Sequence, residues 1–295
     1  MTTAEDIARP KAIRNGALSG KEILQFSQNG FLRVGRVLND ERLEQVRLEV
    51  ENFRKTKTEI DLLDPSQWEL GVGGVPQEPG KTVSFFFNLW LTSDIYKSLL
   101  MDERFALWST QLLGCRDVRV LEDNALSKDA LSGGELKWHQ DFSYWPLAQP
   151  NAVTLWIALD DVTLDNGAMH MALGSHLLGE RLPTVFGTGA SYFRDRRPKT
   201  VMPIVEPQSI GLDTEVLTMK AGEATFHHSL TWHASGPNIT KTSRRAAVCR
   251  YVADGTIWLG EERYAYNYSS SEAGLKLGDP IGGVYFPKIK KMEII

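Results

Sequence analysis

The chain has 295 residues, 42% of them hydrophobic and 24% charged, with a formal net charge of −4. Folding a chain of this length buries roughly 75% of its surface, and so ordinary a composition excludes a disordered, collagen-like or coiled-coil protein. The acidic balance argues against a nucleic-acid binder, and two cysteines, Cys115 and Cys249, exclude a disulfide framework and argue against a cysteine zinc site.

Met1–Asp6 has no basic stretch leading into an apolar one, so no secretory signal is expected. Ser19 and Glu22 have capping-box spacing, and Ile23, Leu24 and Phe26 give the apolar side of a helix that Asn29-Gly30 ends. A second helix is expected from Asn39, with Leu43, Val46, Val50 and Phe53 at helical spacing. Residues 54–84 are polar and rich in Pro and Gly, which predicts a long loop. Its Gly71-Val72-Gly73-Gly74 stretch lacks the Lys-Ser/Thr of a phosphate loop. The apolar run Phe85–Leu91 is too short to span a bilayer, and a cytoplasmic protein is expected. A third helical region is predicted from Ser93 to Leu113, stopping at Gly114.

Beyond Gly114 the pattern changes to short segments with two-residue alternation. Strands are predicted at Val118–Leu121, Leu136–Asp141, Val153–Leu159, Val216–Met219, Ala224–His227 and Arg245–Val252, punctuated by turns such as Asp165-Asn166-Gly167 and Gly236-Pro237-Asn238. Many short strands suggest a barrel or a double-sheet jelly roll. With no repeat and no linker, one domain is expected over 1–295, with a helical N-terminal part at about 1–114 and a jelly-roll core at about 115–260.

Of six histidines, His139 stands two residues before Asp141 in a predicted strand, which puts an imidazole and a carboxylate on one side of the chain. His233 follows 92 residues after Asp141, and Arg244 comes 11 residues later. Two histidines and one carboxylate on one face of an octahedral metal leave three positions open, the pattern of non-haem iron(II) oxygenases. Two positions accept the keto-acid end of 2-oxoglutarate and the third accepts O2. The far carboxylate needs a fixed cation, for which Arg offers a planar fork. Such a bond is worth about 1.5–3 kcal/mol.

These residues bring a family into view. Trp138-His139-Gln140-Asp141 resembles the iron-binding strand of the phytanoyl-CoA dioxygenase family. Asn166-Gly167-Ala168-Met169-His170 with Gly174-Ser175-His176, and His233-Ala234-Ser235-Gly236-Pro237-Asn238 through Arg244-Arg245, resemble two further motifs of it. Phe26 through Gly30-Phe31-Leu32 resembles its N-terminal pattern, so the likeness covers about residues 20–255. The chain departs from the family at Ala172-Leu173, where many members have a Pro, and at Ala234, where Gly is common.

The resemblance implies an all-β core with flanking helices, a double-stranded β-helix (jelly-roll, cupin-like) under a helical N-terminal layer. It implies iron(II) at His139, Asp141 and His233, with His227 and His228 as rivals for the third place. It implies 2-oxoglutarate at Arg244, with Trp156 beside it and Ser235 as a donor; Arg250 and Arg245 are rivals, although strand alternation sends Arg245 to the opposite face. Phe142, Tyr144 and Trp145 follow the iron strand and are expected to line the substrate side, with aromatic core packing the rival reading. Gly187–Thr200 is long enough for a lid. The implied activity is hydroxylation or another oxidation of an unactivated C–H bond of a small organic substrate, releasing succinate and CO2. No nucleic-acid or membrane partner is expected. A non-catalytic metal- or 2-oxoglutarate-binding protein of the same fold is the alternative. A halogenase is a weaker one, because Asp141 fills the position a chloride needs.

Overall fold

A capping box opens the first helix, α1 (Gly20–Asn29): the Ser19 hydroxyl accepts from the Glu22 N–H, and the Glu22 carboxylate accepts from the Ser19 N–H at 2.8 Å. Gly30 closes the helix at φ +82°, and a Cβ there would lie 2.5 Å from His176 Nδ1 and 2.6 Å from Thr231 Oγ1, so only glycine lets α1 sit this close to the sheets. The computed structural model describes residues 13–57, 74–75, 83–132, 134–184, 201–260 and 270–292. After α1 come β1 (Phe31–Arg36), α2 (Asp40–Lys57), β2 (Gly74–Val75), β3 (Val83–Phe87), α3 (Asp94–Leu100), α4 (Glu103–Leu113) and β4 (Val118–Lys128). The core continues with β5 (Leu136–His139), β6 (Ala152–Ala158), β7 (Met169–Ala172), β8 (Thr214–Leu217), β9 (Glu223–His228), β10 (His233–Ser235) and β11 (Arg244–Ala253), then α5 (Ser270–Ala273).

The strands form two antiparallel sheets, a seven-stranded one in the order β1-β9-β6-β11-β4-β3-β2 and a four-stranded one in the order β5-β10-β7-β8. This is the expected jelly roll, without a closed barrel. Alternation along each strand of the large sheet divides its side chains between two faces. Val153, Leu155, Ile157, Phe226, Ala247 and Tyr251 lie in one apolar cluster with Val46, Val50, Leu99, Phe105 and Trp108 of the helices. Trp108 meets Phe226 edge-on, with ring centroids 6.4 Å apart. Truncating Phe226 to Ala would cost about 3–5 kcal/mol. The other face carries Leu126, Trp156, Ala158, Ala246 and Val248, which cluster with Met169, Met171 and Leu217 of the small sheet.

Three local expectations need correction. The N-terminal part is not helical throughout, because β1 and β3 join the large sheet. Phe31, Leu32 and Val34 of β1 are all buried, so no clean alternation marks it as a strand. The single helix expected at 93–113 is two, since Asp102 leaves the helical conformation and caps a new N-terminus by accepting from the Arg104 N–H. The loop expected at 54–84 opens with helix, α2 reaching Lys57, and holds β2 and the start of β3. The rest of it, Gly71–Gly73 included, lies outside the described residues, as does the whole of the expected lid at 187–200. Among the described residues, no helix is long and apolar enough to cross a membrane.

Candidate metal centre

His139 ends β5 and His233 opens β10, and the two are direct partners in the antiparallel register. Their ring centroids are 4.0 Å apart. Asp141 arrives differently from the sequence expectation. The strand stops at His139, and Asp141 takes helical backbone angles (φ −64°, ψ −42°) at the head of a short 3-10 turn, Phe142–Tyr144. Interactions on either side pull the chain off the strand line. The Gln140 amide donates to the carbonyls of Gly179 and Leu230, each at 2.9 Å, and the Phe142 N–H donates to Ser229 O at 2.9 Å.

The outcome is one cluster. His139, Asp141 and His233 are all buried, and each offers a ligand atom within 4.8 Å of the others. His139 Nδ1 lies 2.7 Å from Lys137 O and His233 Nδ1 lies 3.0 Å from Thr231 O. A carbonyl only accepts, so both Nδ1 atoms carry the proton and the lone pair of each ring sits on Nε2. Burial holds both imidazoles below the usual histidine range, His233 further than His139, so they stay neutral. Burial raises the Asp141 carboxyl, but the Arg250 charge, the His227 bond and His233 outweigh it and hold the group well below the carboxylate range. Two neutral imidazoles and one carboxylate suit a divalent transition metal.

Arg244, the first residue of β11, is fully buried. Its Nε donates to Asn166 O at 3.3 Å and its Nη2 donates to Gly167 O, while its guanidinium stands 5.4 Å from the centre of the Trp156 ring. Burial pushes it down to about 10, so it keeps its charge at neutral pH. Ser235 is buried at the end of β10. Lys128, opposite Arg244 in the register, donates to the carbonyls of Gly134, Ser235 and Gly236 and so ties down the turn after β10. Arg245 points to the other face, where it pairs with Asp160 at 2.8 Å and Glu51 at 3.0 Å.

The three aromatic candidates separate. Phe142 and Trp145 belong to an apolar cluster with Leu121, Leu147 and Trp258. Trp145 Nε1 donates to Glu122 Oε1 at 3.2 Å. Tyr144 turns its ring toward His139, centroids 6.2 Å apart, and donates its hydroxyl to Thr184 O at 2.7 Å. His228 lies away with His176, ring centroids 5.5 Å apart. His170 meets the Trp138 ring edge-on.

A row of polar residues crosses four strands on the inner face: His227, Thr154, Arg250 and Glu122, which are register partners in turn. Sequence reasoning weighed His227 and Arg250 only as rivals to His233 and Arg244 and did not foresee the row. Arg250 Nη1 pairs with Glu122 Oε1 at 3.0 Å, and Arg250 Nε lies 3.8 Å from Asp141 Oδ2. Counting by twos from Arg244 along β11 reaches Arg250, a signal present in the sequence.

The profile of the phytanoyl-CoA dioxygenase (PhyH) family matches residues 26–246. The chain belongs to the phytanoyl-CoA dioxygenase family. It is therefore an oxidoreductase of the iron(II)- and 2-oxoglutarate-dependent dioxygenase type. Among its relatives, the ectoine dioxygenase of Bordetella parapertussis is 27% identical over 240 residues, covering 77% of this chain and 73% of the relative. A probable alpha-ketoglutarate-dependent hypophosphite dioxygenase of Stutzerimonas stutzeri is 28% identical over 229 residues, covering 72% and 77%. Among solved structures, the non-haem alpha-ketoglutarate-dependent carbocyclase SnoK superposes with a TM-score of 0.71 at 20% identity, over 93% of this chain and all of that one. Iron-bound EctD from S. alaskensis gives a TM-score of 0.60 at 20% identity, over 84% and 82%. Both structural likenesses speak for the shared fold of this family member.

Proposed function

We propose that this family member holds iron(II) with His139, Asp141 and His233, binds 2-oxoglutarate through Arg244, and oxidises a C–H bond of a small organic substrate, in most turnovers to an alcohol. The observation that carries the reading is the pair of Nδ1 contacts to backbone carbonyls, which leave both Nε2 lone pairs beside the Asp141 carboxylate. Iron(II), 2-oxoglutarate and O2 together would supply the oxidising power: one oxygen atom would go to the substrate and the other to the succinate formed as the cosubstrate loses CO2.

The chain's own residues do the rest. Arg244 gives the distal carboxylate of 2-oxoglutarate a buried cation whose backbone bonds fix its orientation, which lowers the entropy cost of forming the pair. The face of the Trp156 ring lies beside that cation, and Ser235 would offer its hydroxyl as a donor in the turn that Lys128 secures. Tyr144, set against His139 and tethered to Thr184, forms part of the substrate wall. Phe142 and Trp145 shape that wall from behind, through the apolar cluster they share. We also propose that the N-terminal helices and the jelly roll act as a single domain.

The test is a substrate panel with iron(II), 2-oxoglutarate and O2, following succinate and product mass. Small polar metabolites of the kind named for the relatives, ectoine and hypophosphite among them, belong in it. Succinate formed only in the presence of iron(II), and lost in His139→Ala, supports the proposal. A wild-type protein that binds neither iron(II) nor 2-oxoglutarate overturns it.

A further inference from the structure

The two oxygens of the Asp141 carboxylate have different surroundings. Oδ1 faces His233 Nε2 at 3.8 Å, on the side of the three-residue cluster. Oδ2 is engaged from the large sheet: Thr154 Oγ1 lies 2.6 Å away and His227 Nε2 lies 3.1 Å away. A carboxylate that ligates a metal is deprotonated and can only accept, so the Thr154 hydroxyl and the His227 Nε2–H both donate to it. His227 Nδ1 is buried without a hydrogen-bond partner. Among the described residues, the Asp141 contact is thus the one hydrogen bond that its ring makes. Thr154 and His227 are direct cross-strand neighbours on β6 and β9, each about 1% exposed.

Resting on the function proposed above, we propose that His227 and Thr154 are positioning residues that restrict Asp141 to ligation through Oδ1 alone. A carboxylate can meet a metal with one oxygen or with both. Bringing Oδ2 onto the metal would break two hydrogen bonds to a charged group and leave two buried donors unpaired, an outcome that costs more than the bonds themselves contribute. One-oxygen ligation also conserves coordination space. With three ligand atoms from the protein, three positions of an octahedron stay open for a chelating cosubstrate and O2, whereas two-oxygen ligation would leave two. His227 does not join the ligand set: its nitrogens fall outside the cluster whose atoms lie within 4.8 Å of one another. It acts through Asp141.

The experiment is an anaerobic titration of purified full-length protein with iron(II), and with cobalt(II) as a spectroscopic stand-in. It compares wild type with Thr154→Val, His227→Phe, Thr154→Ser and His227→Gln. Loss of an outer-shell partner typically weakens metal binding by about 10- to 100-fold, and that loss is expected for Thr154→Val and His227→Phe. Thr154→Ser keeps the hydroxyl and His227→Gln keeps an N–H at the Nε2 position, so both should stay within a few-fold of wild type. Melting of the metal-free proteins checks folding. If His227→Phe does not fold, the nearly isosteric Thr154→Val decides the matter. Wild-type affinity in Thr154→Val and in any folded His227→Phe overturns the clamp. A wild-type X-ray absorption spectrum with three imidazoles on the metal overturns it too, by making His227 a ligand. A wild type that binds no metal removes the oxygenase reading and this inference with it, whereas normal metal binding in wild type and both donor-loss variants removes the clamp alone.

Discussion

Arg244 and Lys128 stand opposite each other across β11 and β4, two fully buried basic side chains side by side. Burial, and after it the neighbouring guanidinium, pushes the Lys128 ammonium down to about 6. Its three carbonyl acceptors work the other way, since a neutral amine has only two N–H donors to offer them. The dianion proposed to bind at Arg244 would relieve the repulsion. Arg244→Ala is therefore expected to raise the KM for 2-oxoglutarate by about tenfold or more, the size of a lost charge-assisted bond. Arg245→Ala, on the opposite face with Asp160 and Glu51, should leave it unchanged. Cosubstrate titration of both variants checks this, and equal affinity in Arg244→Ala and wild type would remove Arg244 from the site.

The cluster itself predicts a separation among the histidines. His139→Ala, Asp141→Ala and His233→Ala should each lose turnover and also lose the rise in melting temperature that iron(II) or manganese(II) gives the wild type. His228→Ala should keep both, because its ring contacts His176 and Phe26 away from the cluster. A metal-induced shift that survives in any of the first three variants would reassign that ligand.

A pH effect is expected at a distance from the chemistry. Asp123 is fully buried and accepts from the N–H groups of Leu89 at 2.7 Å and Trp90 at 2.9 Å. Burial pushes its carboxyl up to about 7 from 3.8, with the Glu122 charge adding to the effect and the two backbone bonds and Arg250 opposing it. The folded state therefore binds the proton more tightly than the unfolded one. This contribution is fully present below about pH 4 and is lost as the pH rises through 7. Relative to wild type, Asp123→Asn should gain stability between about pH 5 and about pH 8, by more than about 1 kcal/mol. Urea unfolding at the two pH values measures it, and an unchanged difference would mean that Asp123 titrates normally.

Once a substrate is known, the product should carry oxygen-18 from labelled O2 and no chlorine even in high chloride. Asp141 occupies a coordination position that a halide would need, with its second oxygen engaged by Thr154 and His227. Mass spectrometry reads both outcomes. A chlorinated main product would falsify this expectation, and loss of two hydrogens would point to desaturation.

The sequence made the ends of the site legible and hid its middle. His139, Asp141, His233 and Arg244 are spaced along the chain in a way that few constraints other than a metal and an anion explain, and the structure brings the first three together. The opposite faces of Arg244 and Arg245 followed from strand alternation alone. The partnership of Thr154 with His227, which the sequence offered only as a rival ligand, was hidden because it is set by the β6–β9 register, which joins residues 73 positions apart and leaves no local pattern. The departure of Asp141 from its strand was equally hidden, being caused by contacts to Gly179, Ser229 and Leu230 further along the chain. Among the strands, β1 lacked alternation, while β7 and β10, at four and three residues, were too short to show it.

The register that pairs His139 with His233 lies wholly within the small sheet, while the donors to Asp141 Oδ2 come from the large one. A metal ion ligated by all three residues is thus a rivet through both layers of the sandwich. Part of its binding free energy resists their separation, so slow hydrogen exchange should spread from the two histidine strands into β6 and β9 when the ion is loaded. Chelation would then loosen the sandwich along its polar seam at the three ligands, leaving the apolar cluster of Trp156 and Val248 with Met169 and Met171 to hold the layers together.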